Sequence, residues 1–114
     1  MHELAITESL LEIALRHARA QKASRITGLY LAIGGWSSIV DDSIQFYWDI
    51  ISEGTIAWKA ILHFRRVPVV LICQACGKEY SPTREEFACP QCGGTNSRVK
   101  TGEEFQLEEI EIEE

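Results

Sequence analysis

Residues 73–94 read CQACGKEYSPTREEFACPQCGG, and this stretch decides the fold. Cys73 and Cys76, then Cys89 and Cys92, form two C-x2-C pairs with twelve residues between them. One tight turn can offer both thiolates of a pair to a single tetrahedral ion, and twelve residues suffice for a hairpin that brings the two turns together. A glycine follows each pair, supplying the unhindered backbone that such a knuckle needs. Four sulfur ligands leave no open position, so the ion is expected to be structural zinc. Iron in a rubredoxin-like site competes, since four sulfurs suit both metals. Two disulfides are the remaining alternative, and they belong to oxidising compartments.

The flanking segments alternate between helix and strand patterns. Residues 7–22 read as an amphipathic helix with an apolar stripe of Leu4, Leu11, Leu15 and Ala18, widened by Leu10 and Ala14; Glu8, Glu12, Arg16 and Arg19 point away. His17 falls on the flank of that arc as a partly exposed helix residue. Residues 28–35, GLYLAIGG, read as a strand with Leu29, Leu31 and Ile33 on one face and Gly28, Tyr30 and Ala32 on the other. Both faces are apolar or small, which suits a central strand. A second helix is expected to begin with Asp42 as N-cap, Gln45 as capping-box partner and Gly54 as stop. Its Ile44, Phe46, Tyr47, Trp48, Ile50 and Ile51 wrap more than half the circumference, so burial on two sides or a covering partner is expected.

Residues 55–64, TIAWKAILHF, alternate with the period of a half-buried strand, and His63 shares its solvated face with Lys59 and Arg65. The phase slips at Arg65-Arg66, where a bulge or break is expected. The segment EFQLEEIEIEE shows Phe105 and Leu107, then Ile110 and Ile112 after another slip. It reads as a closing strand with an acidic outer face, in which Glu108 and Glu109 need no functional role. Because a strand follows the cysteines, they form an insertion. The expected fold is α+β: a small mixed sheet of about three strands with two helices, plus an inserted four-cysteine zinc-ribbon module. The corresponding domains are 1–72 with 101–114, and 73–100.

Charge narrows the function. The net charge is -6, and Glu103, Glu104, Glu108, Glu109, Glu111, Glu113 and Glu114 crowd the final dozen residues. Within the cysteine module, Lys78 and Arg84 oppose Glu79, Glu85 and Glu86. Four thiolates on a zinc ion add a further formal -2, so the module is a poor phosphate clamp and nucleic acid is not expected as a partner. No basic and apolar leader opens the chain, and the longest apolar run, Val67 to Cys73, is too short to span a bilayer. A cytoplasmic protein without membrane contact is the expectation. No nucleophile with a nearby base forms a readable motif, so no catalytic residue is assigned and the protein is not expected to be an enzyme.

The other metal-ligand pattern is Met1-His2-Glu3. A free amine, the next amide nitrogen and the imidazole of His2 can close a five-membered and a six-membered chelate ring, a nitrogen set that suits Ni(II) or Cu(II). Judged on these residues alone, an ordinary frayed terminus is the simpler account. The combination of MHELAITESLLEIAL at residues 1–15, Ile33-Gly34-Gly35 with Val40, Phe46 with Glu53-Gly54-Thr55, and VLICQACGKEY with FACPQCG resembles the HypA/HybF family of hydrogenase nickel-incorporation proteins. The resemblance covers nearly the whole chain. It implies a metallochaperone that delivers Ni(II) as transient cargo during [NiFe]-hydrogenase maturation. Its implied partners are a nickel-handling GTPase, the hydrogenase large-subunit precursor and, in some organisms, urease maturation proteins. The family's nickel motif falls on Met1, His2 and Glu3, with His2 as principal ligand and Met1 as amine donor. Its zinc ligands fall on Cys73, Cys76, Cys89 and Cys92.

Two features depart from the family pattern. Gly34-Gly35-Trp36 stands where a polar or acidic residue often follows the first strand, and His63 is the last histidine, so the cysteine module has no imidazole to lend. A further nickel ligand would come from His17, His63, a carboxylate or a second polypeptide. The alternative function is a structural zinc-ribbon interaction module without a nickel role, docking through Trp36, Trp48 and Trp58 if these are not simply core.

Overall fold

Six strands and two helices make up the chain in a computed structural model that describes residues 3–37, 39, 41–83 and 85–114. The order is α1 (Glu3–Ala20), β1 (Arg25–Gly34), α2 (Asp41–Ile51), β2 (Ile61–Val67), β3 (Val70–Cys73), β4 (Glu79–Tyr80), β5 (Ser97–Thr101) and β6 (Phe105–Glu113). Two three-stranded sheets result, β2-β1-β6 and β4-β3-β5. The chain divides into two compact units: one of residues 1–32, 38–65 and 106–114, the other of residues 33–37 and 66–105. The cysteine-bearing unit thus extends beyond 73–100, taking in the end of β1 and the segment that leads into β3.

In the first unit β1 is the central strand, as its two apolar or small faces imply. The sheet is mixed. Gly28 lies against the Ile61 carbonyl, and farther along, within the second unit, Gly35 N–H donates to the Val67 carbonyl, so β1 and β2 advance together. Parallel neighbours need a crossover, which α2 supplies. By contrast Ser24 N–H donates to Glu113 and Gly34 N–H to Glu104, so β6 runs antiparallel to β1.

The outer face of β1 carries Gly28, Tyr30 and Ala32, and side chains from both neighbouring strands meet it. His63 stacks on Tyr30 with ring centroids 4.4 Å apart. Arg65 on β2 reaches Glu108 on β6 at 2.7 Å. A Cβ at Gly28 would overlap the Glu111 carboxylate unless it moved.

The core contains Leu10, Ala14, Ala18, Ile26, Leu29, Leu31, Ile44, Trp48, Ala57, Ala60 and Leu62. Helix α1 starts at Glu3, four residues before its expected onset, and its buried stripe is Thr7, Leu10, Ala14 and Ala18. Leu4 is exposed and Leu11 and Leu15 are only half-buried, because the small Ala14 and Ala18 turn their side of the helix inward. The Thr7 hydroxyl remains satisfied by donating to the Glu3 carbonyl at 2.6 Å.

Helix α2 already includes Asp41, so Asp42 is not its N-cap. Gln45 is engaged elsewhere: its oxygen accepts from Leu62 N–H and its nitrogen donates to Asp49. Only Ile44 and Trp48 of the apolar wrap are fully buried; Phe46 and Ile50 are exposed. Gly54, three residues past the end of α2, has φ +85°, a left-handed conformation suited to the turn that stops the helix.

Residues 55–60 are turns rather than strand, with Lys59 at φ +70°. Burial here steps by three, with Ala57 and Ala60 inward and Trp58 and Lys59 exposed between them, so the expected alternation is lost; the Trp48 indole donates to the Ala57 carbonyl at 3.2 Å. The expected break at Arg65-Arg66 falls two residues later, at Pro68, which has no N–H for a ladder. A register irregularity follows at Val70/Leu71 against β5.

Gly34 and Gly102 meet backbone to backbone in the second unit. A Cβ on Gly34 would overlap the Gly102 carbonyl, and Trp36 N–H donates to that same carbonyl at 2.9 Å. The double glycine that departs from the family pattern is therefore accommodated by a second glycine at φ +121°.

Candidate metal centres

The two cysteine pairs build the same turn twice. Gly77 N–H donates to the Cys73 carbonyl at 2.8 Å and Cys73 N–H to Lys78; Gly93 N–H donates to the Cys89 carbonyl at 2.8 Å and Cys89 N–H to Gly94. Gly77 and Gly93 adopt φ +80° and +74°, which a side chain would strain. The first knuckle joins β3 to β4, with Leu71 opposite Tyr80 and Ile72 opposite Glu79. Antiparallel pairing of Cys73 with Ser97 continues the sheet into β5.

Tyr80 anchors the loop leading to the second knuckle, a role not visible in the sequence pattern. Its hydroxyl donates to the Phe87 carbonyl at 2.7 Å and lies 2.8 Å from Ser97 Oγ. Leu71, Cys73, Tyr80 and Cys89 form the unit's small core, with Val69 and Val99 packed against it. Lys100 and Glu79 form an ion pair at 2.9 Å on the surface of this sheet.

All four Sγ atoms lie within 4.8 Å of one another. Cys73 and Cys92, and Cys76 and Cys89, approach to 3.6 Å. A tetrahedral ion with sulfur bonds of about 2.3 Å has sulfurs about 3.8 Å apart, so the cluster has the dimensions of a four-thiolate site. Cys73 and Cys89 are buried and Cys76 and Cys92 exposed.

The electrostatics agree with that fit. The Cys76 amide donates to Cys73, and, against burial, this bond and those from Ala75 and the neighbouring thiols bring Cys73 down to about 7. Against the lowering pull of the Lys78 amide, burial and the surrounding thiols push Cys76 up to about 12. Burial opposes ionisation of Cys89, but the Cys92 and Gln91 amides lower it; Cys92 is raised by its thiol neighbours despite the Gly94 amide. With all four sulfurs within 4.8 Å of one another, like charges there cannot all develop together without a cation. The cluster can hold a metal ion.

Of the other expected ligands, Met1 and His2 lie outside the described residues, while Glu3 is the first residue of α1. His17 is exposed on α1, and His63 is exposed and stacked on Tyr30. The cysteines are the one cluster of at least three candidate ligands among the described residues. The tryptophans divide: Trp48 is wholly buried, whereas Trp36 is 45% and Trp58 38% exposed. Trp36 lies 6.3 Å from Phe87, and Lys59 sits over Trp58 at 4.6 Å.

Fold and site together define a small α+β metal-binding protein with a four-cysteine ribbon. A family profile described as hydrogenase/urease nickel incorporation, metallochaperone, HypA matches residues 1–112. The chain belongs to the HypA family of nickel-incorporation metallochaperones. A hydrogenase maturation factor HypA from Dehalococcoides mccartyi is 39% identical over the whole of this chain and 96% of its own length. Its counterpart from a Nostoc species is 40% identical over the whole of this chain and 97% of its own length.

Solved structures share the fold. A solution structure of HypA protein matches with TM-score 0.77 at 24% identity, covering 98% of this chain and 96% of that one. The solution structure of the Ni metallochaperone HypA from Helicobacter pylori matches with TM-score 0.69 at 23% identity, covering 99% and 98%.

Proposed function

We propose that this chain binds Ni(II) at Met1-His2-Glu3 and passes it on during [NiFe]-hydrogenase maturation, while Zn(II) on Cys73, Cys76, Cys89 and Cys92 maintains the ribbon. The observation that carries the reading is the family match over residues 1–112, which includes the nitrogen-rich start Met1-His2. His2 supplies its imidazole and backbone nitrogen, and Met1 its amine. Glu3 contributes its backbone nitrogen or steers a partner with its carboxylate. As the first residue of α1, Glu3 has an amide that takes no part in the helical i→i−4 ladder.

Binding displaces protons from an amine with an ordinary pKa of about 7.7 to 8.0 and an imidazole of about 6.5. Nickel affinity therefore climbs with pH, and acid releases the cargo. A chain-terminal chelate suits transfer because it can be approached by a receiving protein. The ribbon's four thiolates fill the coordination shell of zinc and leave it no position for activating water, so we read the protein as a carrier rather than a catalyst.

The receiving partners in this proposal are a nickel-handling GTPase and the hydrogenase large-subunit precursor, with urease maturation proteins as a further class, all in the cytoplasm. Among the described residues no helix is long and apolar enough to cross a membrane.

The test is a Ni(II) titration of untagged, zinc-loaded protein, followed by d–d absorption and circular dichroism, beside His2→Ala and a chain extended at its N-terminus. One-site binding that disappears in both altered proteins, with fold and zinc retained, is the expected outcome. Equal binding in all three would remove the nickel role from these residues and favour an interaction module held together by zinc.

A further inference from the structure

The β2-β1-β6 sheet leaves one side of β6 without a neighbouring strand among the described residues. Glu113 and Glu111 turn their carbonyls toward β1: Ser24 N–H donates to Glu113 at 2.8 Å, and Thr27 Oγ1 to Glu111 at 3.3 Å. Strand alternation then directs the backbone N–H and C=O of Ile110 and Ile112 to the other side. This is an open hydrogen-bonding edge.

A groove lies beside that edge. Its smaller part, about 80 Å³, is lined by His17, Ala18 and Gln21 of α1 with Ile110 and Ile112 of β6. Its larger part, about 290 Å³, shares His17 and Ile110 and adds Leu107, Glu108 and Glu109. The side chains that line it belong to the same β6 residues whose backbone faces outward. A strand laid on this edge would thus send every second side chain toward the Ala18, Ile110 and Ile112 side chains of the groove.

Charge selects the occupant. Glu108 is paired with Arg65, and Glu113 lies 4.0 Å from Arg25. Glu111 leans over Gly28 toward β1 and is hydrogen-bonded with Tyr30, whereas Glu109 is in no ion pair among the described residues, and the chain's net charge is -6. A second copy of β6 would set like charges opposite one another, which is unfavourable.

We propose that the free edge of β6 docks an extended segment of a partner protein, with apolar side chains entering the α1–β6 groove and alternating lysines or arginines drawn to the acidic strand at Glu109. Backbone pairing supplies affinity in this mode of recognition, and the alternating pockets supply the pattern read. The inference rests on the sheet edge and is independent of the nickel reading.

A labelled peptide of about eight residues alternating valine and lysine, the length of a typical strand, tests it against the full zinc-loaded chain by fluorescence anisotropy. Three further peptides complete the set: valine alternating with glutamate, and two lysine peptides N-methylated on alternate amides, one set for each edge of the peptide. The expected result is binding of the lysine peptide that weakens with salt, survives one N-methylation pattern and drops about tenfold or more with the other. Glu109→Lys, shown by circular dichroism and zinc content to be folded, should bind more weakly, and the Ile110 and Ile112 amides should gain protection from hydrogen exchange when the peptide is present. No binding at millimolar peptide, equal binding of the glutamate peptide, or indifference to both N-methylation patterns would overturn the proposal. A dimer whose Ile110 and Ile112 amides are already protected without peptide would overturn it in favour of self-pairing.

Discussion

Glu108 illustrates how a residue with no part in metal binding still shapes the protein's response to acid. Arg65 donates from Nη2 to Glu108 Oε2 at 2.7 Å and from Nε to Oε1 at 3.3 Å, and this holds the carboxyl below its usual range. Unfolded, the group returns to an ordinary value of about 4.3. The folded form binds its proton less readily, so the stability gained from the pair is complete above that value and is lost as pH falls through the lowered one. Side-chain exposures of 60% and 38% keep the effect small and sensitive to salt. Glu108→Gln should therefore melt slightly below the unaltered protein at pH 7, with the two melting curves converging as the solution is acidified toward pH 3. Parallel pH profiles would show that the pair does not contribute. The sequence identifies Glu108 as part of an acidic strand face. It does not disclose Arg65 as the partner, because the two residues lie 43 positions apart and meet only once β2 and β6 flank β1.

Elements were legible where pattern and local chemistry coincide. The two C-x2-C-Gly units predict a pair of knuckles, and both form with matching bonds and positive φ at Gly77 and Gly93. The apolar and small faces of β1 likewise predict a central strand. Residues 55–60 misled because the apolar alternation in the sequence does not match the burial, which steps by three as the turns send Ala57 and Ala60 inward; Lys59 at φ +70° is a backbone state that its residue type does not announce. In α1 a count of leucines places the buried stripe too far round, whereas the packing follows the small residues Ala14 and Ala18. Tyr80 was hidden for another reason: its importance comes from reaching Phe87 and Ser97 rather than from any motif. Tyr80→Phe keeps the ring and removes both contacts, each worth about 1 kcal/mol. The expected consequence is several-fold faster loss of zinc to a chromophoric chelator, with little change in the helical circular dichroism signal. An unaltered release rate would confine Tyr80 to a packing role.

At the scale of the whole molecule, the two compact units differ in what holds them together. Residues 1–32, 38–65 and 106–114 have a core of Ile26, Leu29, Leu31, Ile44 and Trp48, all almost completely buried. The other unit has a cluster of four buried residues, two of them cysteines. So little apolar burial leaves such a module dependent on its metal, whose binding free energy becomes folding free energy. Stripping the metal under reducing conditions should abolish amide protection in β3 and β5 while α1 and β1 retain theirs, and added Zn(II) should restore it. Simultaneous loss of protection in α1 and β1 would show that the units unfold as one. The overall α+β architecture and the inserted ribbon follow from the order of patterns along the chain, whereas Ile33–Ser37 joins the ribbon unit through the close approach of Gly34 to Gly102, a long-range fit that no local periodicity encodes.

The interrupted course of the first unit also sets an order on how it is made. Ser24 is bonded to Glu113, 89 residues farther along, so β1 must wait on the ribosome for β6 before its sheet is finished. Both cysteine knuckles are translated in that interval, and domains commonly fold as units while synthesis continues. The ribbon can collect its ion before the β1–β6 pairing exists. With the proposed zinc as that ion, a cell short of it would leave the nascent chain waiting with β1 exposed along one side, tying the supply of one metal to the birth of a protein that handles another.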